Sequence, residues 1–151
     1  MNHRPALILI PLTLAVSAVD AAEPLDDFAE LREVLFTGGE VRVVADYAAC
    51  EMLLDGEPVG PGPEAVGGLT IEAFEYFAPG VVGNELGYLS FSHSQLIAHR
   101  DYVLNYVRFR VYEDGAVEVT ARYLDPQNHE VLMDEGFTAR LGEAVVFYHD
   151  D

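Results

Sequence analysis

The sequence predicts a mainly β domain of the α+β class. About seven antiparallel strands form a barrel-like sheet or a sandwich, and one N-terminal helix caps it. Three observations predict this. Several runs rich in β-branched and aromatic residues alternate apolar with polar, the period of a half-buried strand. The connections are short and rich in Gly, Pro and Asp, which suits tight turns and antiparallel pairing. Only one stretch, near the start, has helical spacing.

The chain opens with a short basic start, Met1-Asn-His-Arg-Pro5, an apolar run from Ala6 to Val19, and a small-residue exit around Ala21-Ala22. This is the layout of a secretory signal peptide. The run is about 14 residues, short of the roughly 20 that a membrane-spanning helix needs. Small residues fit cleavage after Ala18 or after Ala21, and the second leaves the mature chain starting just before Pro24. We therefore expect a signal peptide over 1–21 and a single β-rich domain over 22–151, periplasmic or extracellular, without membrane insertion after cleavage.

Within that domain, Asp26 to Gly39 reads as a short helix. Asp26 or Asp27 caps it, Leu25, Phe28, Leu31, Val34 and Leu35 share a face, and Gly38 or Gly39 ends it. Glu40 to Tyr47 is the first strand. Glu57 to Glu64 is a Pro/Gly loop barred from a sheet interior. Gly68 to Phe77 is the second strand, Glu85 to Ile97 the third and Tyr102 to Tyr112 the fourth. The turn to the fifth strand fixes a register. A two-residue turn at Asp114-Gly115 would mix apolar and polar faces. A three-residue loop, Glu113-Asp114-Gly115 with Gly115 left-handed, sets Val111 against Val117, Phe109 against Val119 and Val107 against Ala121. On the other face Arg110 meets Glu118, Arg108 meets Thr120 and Tyr106 meets Arg122. The tail, Gly136–Leu141 and Ala144–His149, reads as a further hairpin around Leu141-Gly142-Glu143.

The 151 residues carry 26 Asp and Glu against 8 basic residues, a net charge of −18. Removal of residues 1–21 takes out Arg4 and Asp20 and leaves that charge unchanged. Such a surface repels nucleic acid and anionic lipid, so neither is an expected partner. Every basic residue is Arg, a bias that fits a GC-rich genome. The single cysteine, Cys50, ends an apolar run, so it is a buried thiol, an intermolecular bridge or a reactive group.

Catalytic motifs are weak. His93, His99, His129 and His149 show no zinc-ligand spacing. His93 shares strand parity with Leu89 and Phe91, so it points inward. Ser90, Ser92 and Ser94 sit in no nucleophile motif. Asp125-Pro-Gln-Asn-His-Glu130 and Met133-Asp134-Glu135 do not match a calcium loop. Neither a metal nor a cofactor is expected. One cluster stands out: four of the seven arginines after residue 21 lie between Arg100 and Arg122. Tyr106, Arg108, Arg110 and Tyr112 share a sheet face, with Arg122 opposite Tyr106. In so acidic a chain this face is a candidate site for an unknown protein or a small anionic or sugar-like ligand. The competing reading is cross-strand pairing, Arg110 with Glu118, and Arg stems laid on tyrosine rings.

The segments Gly67-Gly-Leu-Thr-Ile-Glu-Ala-Phe74, Leu89-Ser-Phe-Ser-His-Ser94, Asn105 to Gly115 and Thr120 to Pro126 resemble the VirK family of small exported bacterial proteins, as does Asp46-Tyr47-Ala-Ala-Cys50. The resemblance covers most of the mature chain. It implies export, one small domain and a virulence association in name, and it supplies no catalytic residues. We therefore expect a non-enzymatic binding or interaction module, its site an interior cavity or the Arg/Tyr face. Two alternatives stand: a small metal-assisted or His/carboxylate hydrolase using His93, His99 or His129, and an assembly protein bridged through Cys50.

Overall fold

A computed structural model describes residues 22–149. The expected signal peptide over 1–21 lies outside the described residues. Among them no helix is long and apolar enough to cross a membrane.

The chain runs β1 (Glu23–Leu25), α1 (Phe28–Phe36), β2 (Val41–Asp46), a 3-10 turn (Tyr47–Ala49), β3 (Glu51–Leu54), β4 (Glu57–Pro61), β5 (Val66–Thr70), β6 (Glu75–Phe77), β7 (Tyr88–His99), β8 (Asp101–Tyr112), β9 (Ala116–Leu124), β10 (Val131–Arg140) and β11 (Val145–His149). Two antiparallel sheets result. One has four strands in the order β1-β11-β2-β5; the other has seven in the order β4-β3-β10-β9-β8-β7-β6. Neither closes, so of the two expected architectures the sandwich holds and the barrel does not.

The helix forms where its caps dictate. The Asp27 carboxylate accepts from the Glu30 N–H at 3.0 Å, and the Glu30 carboxylate accepts from the Asp26 N–H at 2.9 Å. At the far end Gly38, with φ +84°, lets Gly39 N–H reach the Val34 carbonyl and Gly38 N–H reach that of Leu35. Phe28, Leu31 and Leu35 are buried, while Phe36 packs on Phe74 and Tyr76 beside β6.

The core lies between the sheets. Val41, Val43, Ala45, Val145 and Phe147 of the smaller sheet meet Leu89, Phe91, Phe109, Val111, Val117, Val119 and Phe137 of the larger. Phe91 stacks on Phe109 within its sheet and meets Phe147 edge-on across the interface, with centroids 5.2 and 6.1 Å apart.

The β8–β9 hairpin has the expected register at all six positions, and Gly115 has φ +81°. Two other expectations are corrected. The tail is no hairpin: β10 pairs with β9 and β3 in the large sheet, while β11 pairs with β1 and β2 in the small one. Gly142, φ +82°, turns the chain from one sheet to the other. The run Gly68–Phe77 is likewise two strands. Its first part pairs with β2, Ile71 N–H donates to the Val41 carbonyl at 2.9 Å, and the chain then crosses to lay β6 against β7. The Pro/Gly segment forms β4, at the edge where its prolines need no partner.

Candidate functional site

Strands β7 and β8 have 12 residues each, against 5 or 6 in β2, β5 and β11 of the smaller sheet. Their first core-facing positions, Leu89, Phe91, Phe109 and Val111, are buried. Farther along, the same parity brings His93 and Gln95 on β7 and Asn105 and Val107 on β8. These residues, with Phe109, line one side of a cleft of about 180 Å³. The other side is Tyr47, from the 3-10 turn, and Gly67, Gly68 and Leu69 of β5.

The two glycines set the cleft's width. A Cβ on Gly67 would stand 3.0 Å from the Tyr47 ring, and one on Gly68 would stand 2.9 Å from the Val43 carbonyl oxygen. Side chains there would push β5 away from β2 and Tyr47. Tyr47 is held from behind by Phe137, with ring centroids 4.9 Å apart. Burial, and secondarily the neighbouring Cys50, raises the Tyr47 phenol above its ordinary value, so it stays a neutral hydroxyl.

The lining combines one phenol, one imidazole and two amides with an apolar floor of Leu69, Val107 and Phe109. It contains neither a carboxylate nor a guanidinium. His93 and Gln95 are exposed, and Asn105 is half-buried. This arrangement can offer and accept hydrogen bonds without imposing charge.

The Arg/Tyr face lies on the opposite side of the same strands. There the predicted residues do come together, and most of them are engaged by neighbouring side chains. Arg122 grips Asp134 with two contacts of 3.0 Å, Nε to Oδ1 and Nη2 to Oδ2. That hydrogen bond holds the guanidinium above its ordinary value. The Tyr112 hydroxyl donates to Glu118 at 2.9 Å. Burial and then this bond to Glu118 raise the Tyr112 phenol. Arg108 Nη2 donates to Thr120 Oγ1 at 3.4 Å. Arg110 lies over the Tyr88 ring, 5.3 Å from its centroid, instead of pairing with Glu118.

The remaining sequence candidates are scattered. His99 packs on Tyr123, six residues along β7 from His93 and about 20 Å away at strand rise. His129 sits in the β9–β10 turn, where Asp125 accepts from Gln127 and Asn128 N–H groups. His149 Nδ1 lies 3.0 Å from the Glu40 carbonyl oxygen. Among the described residues no group of three or more His, Cys, Asp or Glu is placed to hold a metal. Cys50 is 2% exposed, and its thiol donates to the Asp46 carbonyl at 3.3 Å. Burial, and then Asp46, raises its pKa. A bridge through Cys50 requires the core to open.

Sequence reasoning placed His93 inward and missed its companions. The available signal was the turn from apolar to polar along the inward parity, Leu89-Phe91-His93-Gln95 and Phe109-Val107-Asn105. Tyr47, in the 3-10 turn after β2, and Gly67 and Gly68 of β5 reach the cleft from its other side, which local parity does not reveal.

A model of the VirK protein family matches residues 24–129, from β1 to the turn after β9. The crystal structure of a VirK family protein from Legionella pneumophila aligns with a TM-score of 0.67 at 15% identity, over 82% of this chain and 97% of that one. At that identity the likeness is one of fold. No curated protein matches the chain. The family match spans well over half of the sequence and agrees with the motifs read from it: the chain belongs to the VirK family.

Proposed function

We propose that this protein is an exported, non-catalytic binding module, and that the cleft between its sheets holds an uncharged, hydroxyl-rich ligand such as a sugar unit. One observation carries the reading. Tyr47, His93, Gln95 and Asn105 converge on the cleft, and their side chains make no hydrogen bond to another described residue. Their donors and acceptors are open to a ligand. Leu69 and Val107, both half-buried, supply apolar surface for a ring face. The apolar run before residue 22 supports export to the periplasm or beyond, and the family name supports a link to host association. The non-catalytic part rests on the lining, where one imidazole has no carboxylate beside it to orient or share a proton.

Saturation-transfer NMR with neutral monosaccharides tests the proposal. Transfer to at least one sugar is expected, and His93→Ala with Asn105→Ala should abolish it. Transfer that survives both substitutions removes the cleft from the account.

A further inference from the structure

We propose that the free edge of β7, Ser92 to Ala98, accepts an extended segment of a partner protein bearing carboxylates at alternate positions. This goes beyond the cleft reading and stands on different groups.

On one side β7 pairs with β8 along its whole length, but on the other β6 reaches only Tyr88, Leu89 and Ser90. Glu113 N–H donates to the Gly87 carbonyl at 3.0 Å across the β7–β8 pair. Odd-numbered β7 residues therefore bond β8, and Ser92, Ser94, Leu96 and Ala98 direct their backbone groups away from it. Edges of this kind are usually guarded. β4 carries Pro58, Pro61 and a register shift, β1 and β6 have three residues each, and β5, the remaining edge, has five residues of which two are glycine. The β7 overhang has no proline, no charged residue and no register shift. It can act as a strand acceptor.

Charge identifies the occupant. A strand laid along β7 turns every second side chain toward the face of Ser90, Ser92 and Ser94. Ser90 is already paired with Glu75 of β6, but across Ser92 and Ser94 lie Arg108 and Tyr106, their cross-strand partners, with Arg110 two residues along β8 on the same face. Among the described residues neither guanidinium has a carboxylate within ion-pair distance: Arg108 reaches Thr120, and Arg110 has the Tyr88 ring and the Tyr112 phenol while its buried Nε has no hydrogen-bond partner. In a chain of net charge −18 this is the anomaly that a partner's carboxylate resolves. The chain's global repulsion is screened beyond about 8 Å at physiological salt, whereas contact pairs are not. A second copy fits less well, because pairing β7 with β7 brings two such Arg pairs and two like-charged chains together.

The test uses two acetylated, amidated octapeptides, alternating Glu-Val and alternating Lys-Val, added to the isotope-labelled protein. The Glu peptide is expected to bind and to slow amide exchange at Ser92, Ser94, Leu96 and Ala98 by about tenfold or more. The Lys peptide is expected not to bind. Arg108→Ala with Arg110→Ala should weaken the Glu peptide by about tenfold. Ser94→Pro, which removes an edge donor that no strand uses, should abolish binding. If that variant fails to fold, the exchange pattern and the Arg variant decide. No binding at millimolar peptide, equal binding of the Lys peptide, or protection at Gly68 and Thr70 of β5 instead would each overturn the proposal.

Discussion

The inner and outer faces of β7, β8 and β9 belong to the same strands and treat their polar side chains in opposite ways. On the outer face Tyr112 binds Glu118, Arg122 binds Asp134 and Arg108 reaches Thr120. On the inner face His93, Gln95 and Asn105 line one wall of a cleft opposite Tyr47, and their side chains hydrogen-bond no other described residue. Charge density alone pointed to the outer face. We place the neutral-ligand site on the inner one, because a group engaged by its neighbour must lose that bond before it can hold a ligand, and leave Arg108 and Arg110, which have no carboxylate in ion-pair range among the described residues, to the charged strand proposed above.

Substitutions separate the two faces. The largest effect belongs to the residue beneath both. Phe109→Ala removes a 2%-exposed ring from the core and from the cleft floor, and should cost about 3–5 kcal/mol in denaturant unfolding. Gly68→Val comes next. Its Cβ meets a backbone oxygen at 2.9 Å, so β5 must shift, at a cost of about 1–3 kcal/mol. His93→Ala with Asn105→Ala should change stability by no more than about 0.5 kcal/mol while abolishing ligand binding, since these groups are engaged by nothing else described. The smallest effect lies outside. A double-mutant cycle on Arg122 and Asp134 should give about 0.2–1 kcal/mol, because side chains 39% and 50% exposed are screened by water.

A pH series probes the inner side differently. Burial raises the Cys50 thiol from 9.0 and the Tyr47 phenol from 10.0. Their contribution to stability is therefore complete below pH 9 and is lost as pH climbs through the raised values, since the unfolded chain ionises first. Unfolding midpoints should fall above pH 9, and Cys50→Ala should reduce the drop between pH 9 and 10.

Much of the fold was legible wherever parity and turn chemistry act locally. The β8–β9 register followed from face consistency and one left-handed glycine, and the helix from an aspartate cap at 26 or 27 and a glycine stop at 38 or 39, of which the fold uses Asp27 and Gly38. Parity tells which face a residue takes but not which sheet its strand joins. The runs flanking Gly142 therefore read as a hairpin, although the turn carries the chain between sheets. β3, Glu51–Leu54, was not legible: it is four residues long and lacks a β-branched side chain. The cleft was half legible. His93 announced its direction, whereas Tyr47, Gly67 and Gly68 reach it only through sandwich packing.

The most direct measurement is amide shift mapping of the labelled protein with a neutral monosaccharide that gives saturation transfer. Changes are expected at Tyr47, Gly67, Gly68, His93 and Asn105, with Arg108 and Arg122 unmoved. Changes confined to Arg108, Arg110 and Arg122 would contradict the cleft reading and return the site to the outer face.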